Sequence, residues 1–332
     1  QQRELYRQRK DYDQCLGAFT WDLPEETHSD NFVGDLTKWW LKNHPAQKPL
    51  FLQIGFPGPH PPYDPTPRHL EPYLDRDLPL SRLSQKDLDN QPEAFKGMRI
   101  HNTEVDHDSV VHQLNPTEEQ RLRQRRHYLA NVTMIDEKIG ELIDTLEESG
   151  YLDNSIVVFT SDHGDCLTDH GHSQKWTMYE QVIRIPLIIW APKKYGSGRM
   201  IDGLLQPIDI APLILQWANV PVPETIEGAP PSAALEGDNW YGREFVFAEQ
   251  RRDLNFTTSN FMTMIRSREW KLVHFLGETF GQLFDLKNDP DEVNDLWNNP
   301  THQLQKDQLL KAMLEWHIAS QLKTAAWAEK WR

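Results

Sequence analysis

"SIVVFTSDHGD", residues 155 to 165, is the stretch that decides the fold. Its first half is rich in β-branched and apolar side chains, which is typical of a buried strand. Its second half places Asp162 and His163 directly after that strand, and Gly164 allows a close turn there. An Asp-His pair can hold a divalent ion, but it is also compatible with a capping aspartate beside a surface histidine. The stretch therefore predicts a strand that ends in a candidate site.

A long helix is predicted immediately before this strand. Asn115 opens it, Pro116 suits the first helical position, and Glu118 stands three residues after the asparagine, as in a capping box. Apolar residues then recur at helical spacing until Gly150, which is expected to end the helix.

The neighbouring segments alternate between the same two patterns. Residues 50–56 ("LFLQIGF") and the run "IPLIIWAP" after Arg184 predict two more buried strands. Residues 31–44 and the stretch that begins at Asp209 predict further helices. Such alternation favours an α/β fold with a largely parallel sheet that carries helices on both faces. Ligands of such sheets bind beyond the carboxyl ends of the strands, where the Asp-His pair lies.

The pattern changes after about residue 235. Four short strand patterns ("EFVFAEQ", "FMTMIRS", "EWKLVHF" and "GQLFDL") follow one another with little helix between them, which predicts a small antiparallel sheet. A tryptophan-rich helix is expected from about Thr301. We therefore predict a core over residues 1–235 and a smaller C-terminal α+β subdomain over residues 236–332. Residues 64–116 show little periodicity and are expected to be a long surface excursion with short helices.

Composition excludes several classes of protein. The 332 residues carry a formal charge of −15, which argues against non-specific nucleic-acid binding. No stretch reaches the roughly 18 apolar residues of a membrane span. Cys15 and Cys166 are too few for a disulfide framework and mildly favour a reducing, cytoplasmic compartment. Asn131 and Asn255 match the glycosylation triplet, which also occurs by chance.

Two further side chains have the chemistry of an anion site. Lys175, shortly after the Asp-His pair, is a point-charge donor for a tetrahedral anion, or else a solvated surface lysine. His60 stands in the proline-rich loop "PGPHPPYDPTP" after the strand pattern of residues 50–56. It can give a proton to a leaving oxygen, or it is a loop histidine bonded to the backbone.

The remaining polar residues of the cluster have weaker patterns. Asp169, His170 and His172 are expected to support the site from behind or to be loop groups, and with His163 they match no common zinc spacing. A transition-metal hydrolase built on these histidines is a distant alternative. Cys166 has no neighbour that would lower its pKa, so an inert thiol is expected rather than a nucleophile.

Several blocks in order make the chain resemble a sulfatase of the alkaline phosphatase superfamily. They are "FLQIGFPGPHPPYDP", "YLANVTMIDEKIGELIDTLEESGYLDNSIVVFTSDHGD", "YEQVIRIPLIIWAP", "LLQPIDIAPLILQWANVPVP" and "EWKLVHF...GQLFDLKNDPDEVNDL". The resemblance runs from about Lys48 to Trp297 and implies an alkaline phosphatase-like fold.

The resemblance also implies roles for individual residues. Asp162 and His163 are similar to the family's metal ligands, in the Asp-His version shared with phosphonate monoester hydrolases. Lys175 is similar to the lysine that contacts the sulfate or phosphonate group, and His60 to the histidine beside the leaving oxygen. The ion implied is Ca²⁺, with Mn²⁺ or Mg²⁺ as alternatives. His172 and Ser173 stand where the family usually has apolar or aromatic residues, so the pocket wall is expected to differ.

One departure from the family concerns the nucleophile. The family forms a formylglycine from Cys or Ser in a Cys-x-Pro-Ser-Arg type motif near its N-terminus. Neither Cys15 nor Cys166 has that context, and the paired aspartates of the family's first strand are absent as well. We therefore expect the formylglycine to lie in an N-terminal part of the enzyme outside these residues.

The function that these implications favour is metal-dependent hydrolysis of a sulfuric ester. A phosphonate monoester or phosphodiester hydrolase is the first alternative, and a non-catalytic relative without the nucleophile is the second. We expect a small sulfate or phosphonate ester as ligand and no nucleic-acid or membrane partner. We also expect either a homo-oligomer or association with the N-terminal segment.

Overall fold

The computed structural model describes residues 2–44, 46, 48–196 and 198–324, and the chain forms two compact units. Each unit is assembled from separate stretches of sequence. The first unit comprises Gln1–Leu83, Gly97–Val158 and Asp165–Gln174, and the second comprises Ser84–Lys96, Phe159–Gly164 and Lys175–Arg332. The sequence division at residue 235 stays a prediction.

Helices and strands both contribute to the fold. The helices are α1 (Gln2–Arg7), α2 (Ser29–Asn43), α3 (Pro67–Leu74), α4 (Gln85–Asn90), α5 (Glu93–Glu104), α6 (Glu118–Glu148), α7 (Glu180–Ile183), α8 (Pro192–Tyr195), α9 (Ile210–Trp217), α10 (Ser232–Glu236) and α11 (Gln303–Thr324). The strands are β1 (Val157–Thr160), β2 (Leu187–Trp190), β3 (Val246–Arg251), β4 (Phe261–Arg266), β5 (Trp270–Phe275) and β6 (Gly281–Asp285).

The first unit is organised around α6, the long helix predicted from the sequence. The helix begins two residues later than the predicted cap at Asn115 implies, because Thr117 is the residue that caps it. The Thr117 hydroxyl accepts from the Gln120 amide at 3.2 Å, and the Gln120 side chain accepts from the Thr117 amide at 2.8 Å. This reciprocal pair satisfies two backbone donors at the helix start. Gly150, at φ +75°, follows the end of the helix as predicted.

Helix α2 packs on α6 through its small and charged residues. The space beside Gly34 is filled by the aliphatic stem of Lys138, which a Cβ on Gly34 would meet at 3.1 Å. The ammonium of Lys138 then reaches Asp35 at 3.1 Å and Glu141 at 3.1 Å. A lysine can bury its stem in this way while its charge is paired at the edge.

The predicted amphipathic helix over residues 31–44 is confirmed, but its apolar stripe is not buried. Phe32, Leu36 and Trp39 are 57%, 50% and 59% exposed. The side of α2 that packs is instead the one bearing Gly34 and Leu41.

The strand predicted for residues 50–56 is not formed. Leu50, Phe51 and Leu52 are exposed, and none of the described strands pairs with this segment. An extended segment becomes a strand only where a neighbour takes its hydrogen bonds, and hydropathy alone cannot supply that neighbour.

Residues 64–116 contain the expected short helices, α3, α4 and α5, but they are packed into the fold and do not form a surface excursion. Helix α3 packs on α6, and Leu70 on it is buried. In the second unit the buried ring of Phe95 meets Phe275 edge to face, with centroids 5.4 Å apart. The helices here are too short for a periodic pattern to reveal their buried sides.

The second unit contains the predicted antiparallel sheet, in the order β3-β4-β5-β6. Ile265, Leu272 and Leu283 form a core with Trp297 and with Leu309 and Met313 of α11. Gly281 is required beside this core, because a Cβ on it would lie 2.4 Å from the Trp297 ring. The antiparallel sheet and the helix that follows it are thus confirmed up to Thr324; the tryptophans beyond that residue lie outside the described part of the chain.

Strands β1 and β2, both predicted, form a separate two-stranded sheet. The fold is therefore mixed helix and sheet. A larger parallel sheet with helices on both faces stays a prediction.

The structure bears on three further features of the sequence: membrane spans, glycosylation triplets and cysteines. Among the described helices, none is both long and apolar enough to cross a bilayer. Asn131 is 2% exposed within α6, so this glycosylation triplet is inaccessible in the folded chain. The thiols of Cys15 and Cys166 are both buried, as an inert thiol should be.

We expect the free energy of unfolding to decrease as the pH falls from about 6.5 towards 4. Burial lowers the pKa of His112 and of His127 to about 4, from an ordinary value of 6.5. Between these values the unfolded chain binds more protons than the folded one, so acid favours unfolding. Each histidine contributes up to about 3 kcal/mol, and this contribution is fully present above pH 6.5.

Urea unfolding at pH 7 and pH 5 measures this effect. His127→Gln should reduce the difference between the two pH values by about 2 kcal/mol, because glutamine does not titrate. His44→Gln is the matched control, since His44 is exposed at the end of α2. An unchanged pH dependence in His127→Gln would contradict the prediction.

Candidate active site

The candidate site is a cavity of about 1120 Å³ in the second unit. Its lining includes Asp162, His163 and Lys175, three of the four residues singled out from the sequence. The same wall carries the basic side chains of Arg184 and Arg199. Carboxylate, imidazole and ammonium groups thus share one concave surface, as a metal-assisted anion site requires.

The side chains of Asp162 and His163 turn towards each other. His163 Nδ1 lies 2.8 Å from the carbonyl oxygen of Gly164, so this nitrogen carries the proton and donates it there. His163 Nε2 is left with its lone pair, 3.4 Å from Asp162 Oδ2. Adjacent ligands of one Ca²⁺, each about 2.4 Å from the ion, lie about 3.4 Å apart. The donor set therefore fits a divalent ion, and the Gly164 carbonyl fixes the tautomer that a ligand histidine needs.

The Asp162 carboxylate is also open to the cavity. Its side chain is 84% exposed, and its Oδ1 accepts from the His163 amide at 2.9 Å. An exposed carboxylate is well placed to exchange bound water for an ion. The role of the pair as metal ligands stays a prediction.

Helix α7 holds the turn that carries this pair. The Gly164 amide donates to the carbonyl of Val182 at 2.7 Å. A Cβ on Gly164 would lie 1.9 Å from the carbonyl oxygen of Gln181, which is far inside contact distance. Only glycine therefore allows the two backbones to approach this closely.

Lys175 reaches the cavity from a stretch that is otherwise buried. The four residues that follow it, Trp176 to Tyr179, are each at most 5% exposed, whereas Lys175 is half-buried. The buried residues therefore hold the backbone next to the lysine, while Lys175 itself lines the cavity. Its role as an anion contact stays a prediction.

His60 belongs to the first unit. Its Nδ1 lies 3.0 Å from the carbonyl oxygen of Pro61, and its Nε2 lies 3.7 Å from Asp108 Oδ2. Nδ1 therefore donates to the backbone, and Nε2 is the nitrogen available for proton transfer. The loop is anchored by Asp30, whose Oδ1 accepts from the Gly58 amide at 2.7 Å. Burial raises the pKa of Asp30, and the Gly58 amide and His28 partly oppose this shift.

The second half of the polar stretch has a structural role in the first unit. Asp169 is buried, pairs with Arg125 and accepts from the Arg82 amide. Burial lowers the pKa of His172 well below its ordinary value, and His170 is also buried. The sequence allowed two expectations for these residues, support of the site from behind and a role within the loop. Their contacts agree with the second.

Asp165 is a residue whose importance the sequence did not reveal. Its Oδ1 accepts from the amides of Leu167 at 2.9 Å and Gln174 at 3.1 Å, and its Oδ2 accepts from the Tyr63 hydroxyl at 2.7 Å. It closes the loop that separates His163 from Lys175 in sequence. Local Asx-turn chemistry could have signalled the Leu167 contact, but not the Tyr63 contact.

Another cluster in the first unit has metal-ligating side chains. Ligand atoms of Glu25, His69 and Glu137 all lie within 4.8 Å of one another. Arg68 already pairs with both glutamates, including Glu137 Oε1 at 2.6 Å. The guanidinium is thus the cation of this cluster, and we assign it to an ion-pair network.

Comparison with known proteins identifies the relatives of this chain. A family model described as Sulfatase matches residues 2–220, and one described as N-sulphoglucosamine sulphohydrolase, C-terminal, matches residues 168–319.

Individual proteins agree with these matches. An arylsulfatase of Clostridium perfringens is 29% identical over 298 residues, which cover 89% of this chain and 59% of that protein. An N-acetylglucosamine-6-O-sulfatase of Bacteroides thetaiotaomicron is 34% identical over 57% of this chain and 35% of its own length. The solved phosphonate monoester hydrolase of Silicibacter pomeroyi is 25% identical and superposes with a TM-score of 0.78, over 98% of this chain and 69% of that one. The chain thus spans less than two thirds of the length of the curated relatives it matches.

We expect Gly164→Ala to destabilise the protein by about 3 kcal/mol, because the added methyl meets backbone that cannot move aside cheaply. Thermal unfolding followed by circular dichroism measures the effect. Gly140→Ala in α6 is the matched control: a Cβ there meets nothing within 4 Å, and alanine should stabilise the helix by about 1 kcal/mol. Equal melting temperatures for Gly164→Ala and the unsubstituted protein would refute the close approach.

Proposed function

Since the chain belongs to the sulfatase family, we propose that it supplies part of the active site of a metal-dependent sulfuric ester hydrolase. The observation that carries the proposal is the shared cavity of Asp162, His163 and Lys175. The names of the relatives support the same class of reaction, since two of them are sulfatases.

The proposed reaction splits a sulfate monoester into an alcohol and inorganic sulfate. Asp162 and His163 would hold the divalent ion, with Ca²⁺ as the first choice. When bound, the ion neutralises charge on the sulfate oxygens and favours attack at sulfur. Lys175 donates from Nζ to a non-bridging sulfate oxygen, which stabilises the charge that develops there. His60 donates the proton on Nε2 to the departing ester oxygen as the S–O bond breaks.

The nucleophile in our proposal is a hydroxyl of a hydrated formylglycine, as in the family that the chain resembles. Its oxygen forms a new bond to sulfur as the ester S–O bond breaks, and return of the hydrate to the aldehyde then releases inorganic sulfate, so that one water is consumed in each turnover. Cys15 and Cys166 are buried and lack the family's motif, so we assign the formylglycine to polypeptide other than these 332 residues. Burial also raises the pKa of the Cys15 thiol, which disfavours a nucleophilic thiolate there.

We expect Asp162→Asn to remove most of the bound metal and turnover from the full-length enzyme, because the substitution deletes a charged ligand. Plasma emission spectrometry gives the metal content, and release of nitrophenol from an aryl sulfate gives the turnover. Asp202→Asn is the matched control, since Asp202 lines the same cavity with a side chain that is 98% exposed. Metal content close to that of the unsubstituted enzyme in Asp162→Asn would count against the assignment.

Phosphonate monoester hydrolysis is the alternative, and the superposition with a solved enzyme of that name favours it. Rates on paired aryl sulfate and aryl phosphonate esters with the same leaving group separate the two activities. We expect the sulfate ester to react faster.

In the same assay Lys175→Ala should lower kcat/KM for both esters by about 10-fold or more, since a charge-assisted hydrogen bond is lost. Lys311→Ala, on an exposed side chain of α11, should change neither rate. If the unsubstituted enzyme hydrolyses the phosphonate ester faster than the sulfate ester, phosphonate monoester hydrolysis replaces sulfate ester hydrolysis as the proposed activity.

A further inference from the structure

Four charged side chains in the second unit form a network that the proposed chemistry does not use. They are Glu180 at the start of α7, Arg266 on β4, Lys271 on β5 and Glu292 in the turn after β6. Lys271 is fully buried and Glu292 is 1% exposed. Two positive and two negative charges balance, as buried charges must.

The network forms hydrogen bonds with the backbone between Lys175 and α7. The ammonium of Lys271 donates to the carbonyl of Met178 at 3.0 Å and lies 2.8 Å from Glu180 Oε1 and 2.6 Å from Glu292 Oε1. The Glu180 amide donates to Glu292 Oε2 at 2.7 Å. Main chain and side chain of the same segment are thus held by one buried lysine.

The remaining contacts extend this attachment across the antiparallel sheet. Arg266 Nε lies 2.9 Å from Glu180 Oε1, and Nε2 of the Gln282 side chain donates to the Tyr179 hydroxyl at 3.0 Å. Strands β4, β5 and β6 therefore each contribute a contact to the three residues from Met178 to Glu180. A sheet is a rigid base, and rigid elements position sites more accurately than loops do.

The same segment leads to both halves of the candidate site. Lys175 stands three residues before Met178 in sequence. At the other end of the segment, the Val182 carbonyl of α7 accepts a hydrogen bond from the Gly164 amide. Helix α7 therefore holds the turn that contains Asp162 and His163. A shift of this segment would therefore change the separation between the ammonium and the metal-binding pair.

Burial alone does not explain why a lysine stands at this position. A buried ion pair stabilises a fold no better than well-packed apolar residues of similar volume. It does fix one geometry, because each charge loses its partner if the backbone slides.

The geometry points to Lys271 and Glu292 as positioning residues that set Lys175 against Asp162 and His163. This inference rests on the proposed function of those three residues. It assigns to the antiparallel sheet a role in catalysis beyond its contribution to the core.

The test compares a charge-neutral pair of substitutions with the unsubstituted full-length enzyme. Lys271→Met alone leaves Glu292 buried without its cation and is expected to unfold easily. Lys271→Met with Glu292→Gln removes both charges, keeps an acceptor for the Glu180 amide and leaves Glu180 paired with Arg266. This double variant should therefore fold with a melting temperature near that of the unsubstituted enzyme. Lys287→Met is the control, on a lysine that is 70% exposed.

Two readouts follow the segment and the site separately. Hydrogen exchange by mass spectrometry reports the protection of residues 175–183. Inhibition of aryl sulfate turnover by inorganic sulfate reports the anion contact of Lys175. In the folded double variant we expect faster exchange in this peptide, about 10-fold weaker inhibition by sulfate and a kcat lowered by about 100-fold. The control should match the unsubstituted enzyme in all three.

Two results would overturn the inference while leaving the proposed function intact. One is unchanged exchange in the folded double variant. The other is faster exchange with unchanged inhibition and kcat, which would make the network a purely structural one. Failure of the proposed function is recognised separately, because the unsubstituted enzyme would then show no turnover of the aryl sulfate, and the inference would fall with it.

Discussion

The close approach between Gly164 and α7 is the constraint on which the candidate site depends. A methyl group at this position would lie 1.9 Å from the Gln181 carbonyl oxygen. The absence of a side chain lets the Gly164 amide reach the Val182 carbonyl, and the Gly164 carbonyl is left to fix the proton of His163. One residue without a side chain thus sets both the position of Asp162 and His163 and the tautomer of the imidazole.

The buried charges of the second unit stabilise the segment that joins Lys175 to α7. Glu180 is largely buried, and desolvation alone would raise its pKa, but Lys271 and Arg266 outweigh that effect and lower it. For Glu292 desolvation prevails over Lys271, and its pKa is raised. Lys271 is nevertheless paired with both carboxylates, at 2.8 Å from Glu180 and 2.6 Å from Glu292. Electrostatic attraction in a low dielectric thus acts at the point where the segment of Lys175 joins the helix that holds Gly164.

The sequence predicts those features that depend on local pattern. Strands Val157–Thr160 and Leu187–Trp190 are continuous apolar runs, and the four antiparallel strands are separated by turn residues. The strand pattern of residues 50–56 failed because a strand needs a partner, and periodicity contains no information about partners. Helix α6 was found, but its cap was misplaced because both Asn115 and Thr117 are good capping residues with a suitable side chain three positions later.

Predictions of the site divide along the same line. Asp162, His163 and Lys175 could be chosen from their chemistry and from their position after a strand. The network of Lys271 could not be chosen, because its partners Glu180 and Glu292 are distant in sequence. Hydropathy places a lysine at the surface, and only the tertiary structure reveals the carboxylates that allow it to be buried.

The chemistry of the two proposed ester substrates limits what Lys175, Asp162 and His163 can discriminate. A sulfate monoester and a phosphonate monoester each carry one negative charge on non-bridging oxygens around a tetrahedral centre. A lysine and a divalent ion neutralise such oxygens in the same way, so Lys175, Asp162 and His163 cannot distinguish the two substrates by charge. Discrimination must come from groups that contact the alcohol or the fourth substituent. In the second unit the cavity wall offers Tyr195, Trp240 and other apolar surface for that purpose, beside the guanidinium of Arg199. Specificity is therefore expected to follow the shape and polarity of this wall rather than the charge of Asp162 and His163.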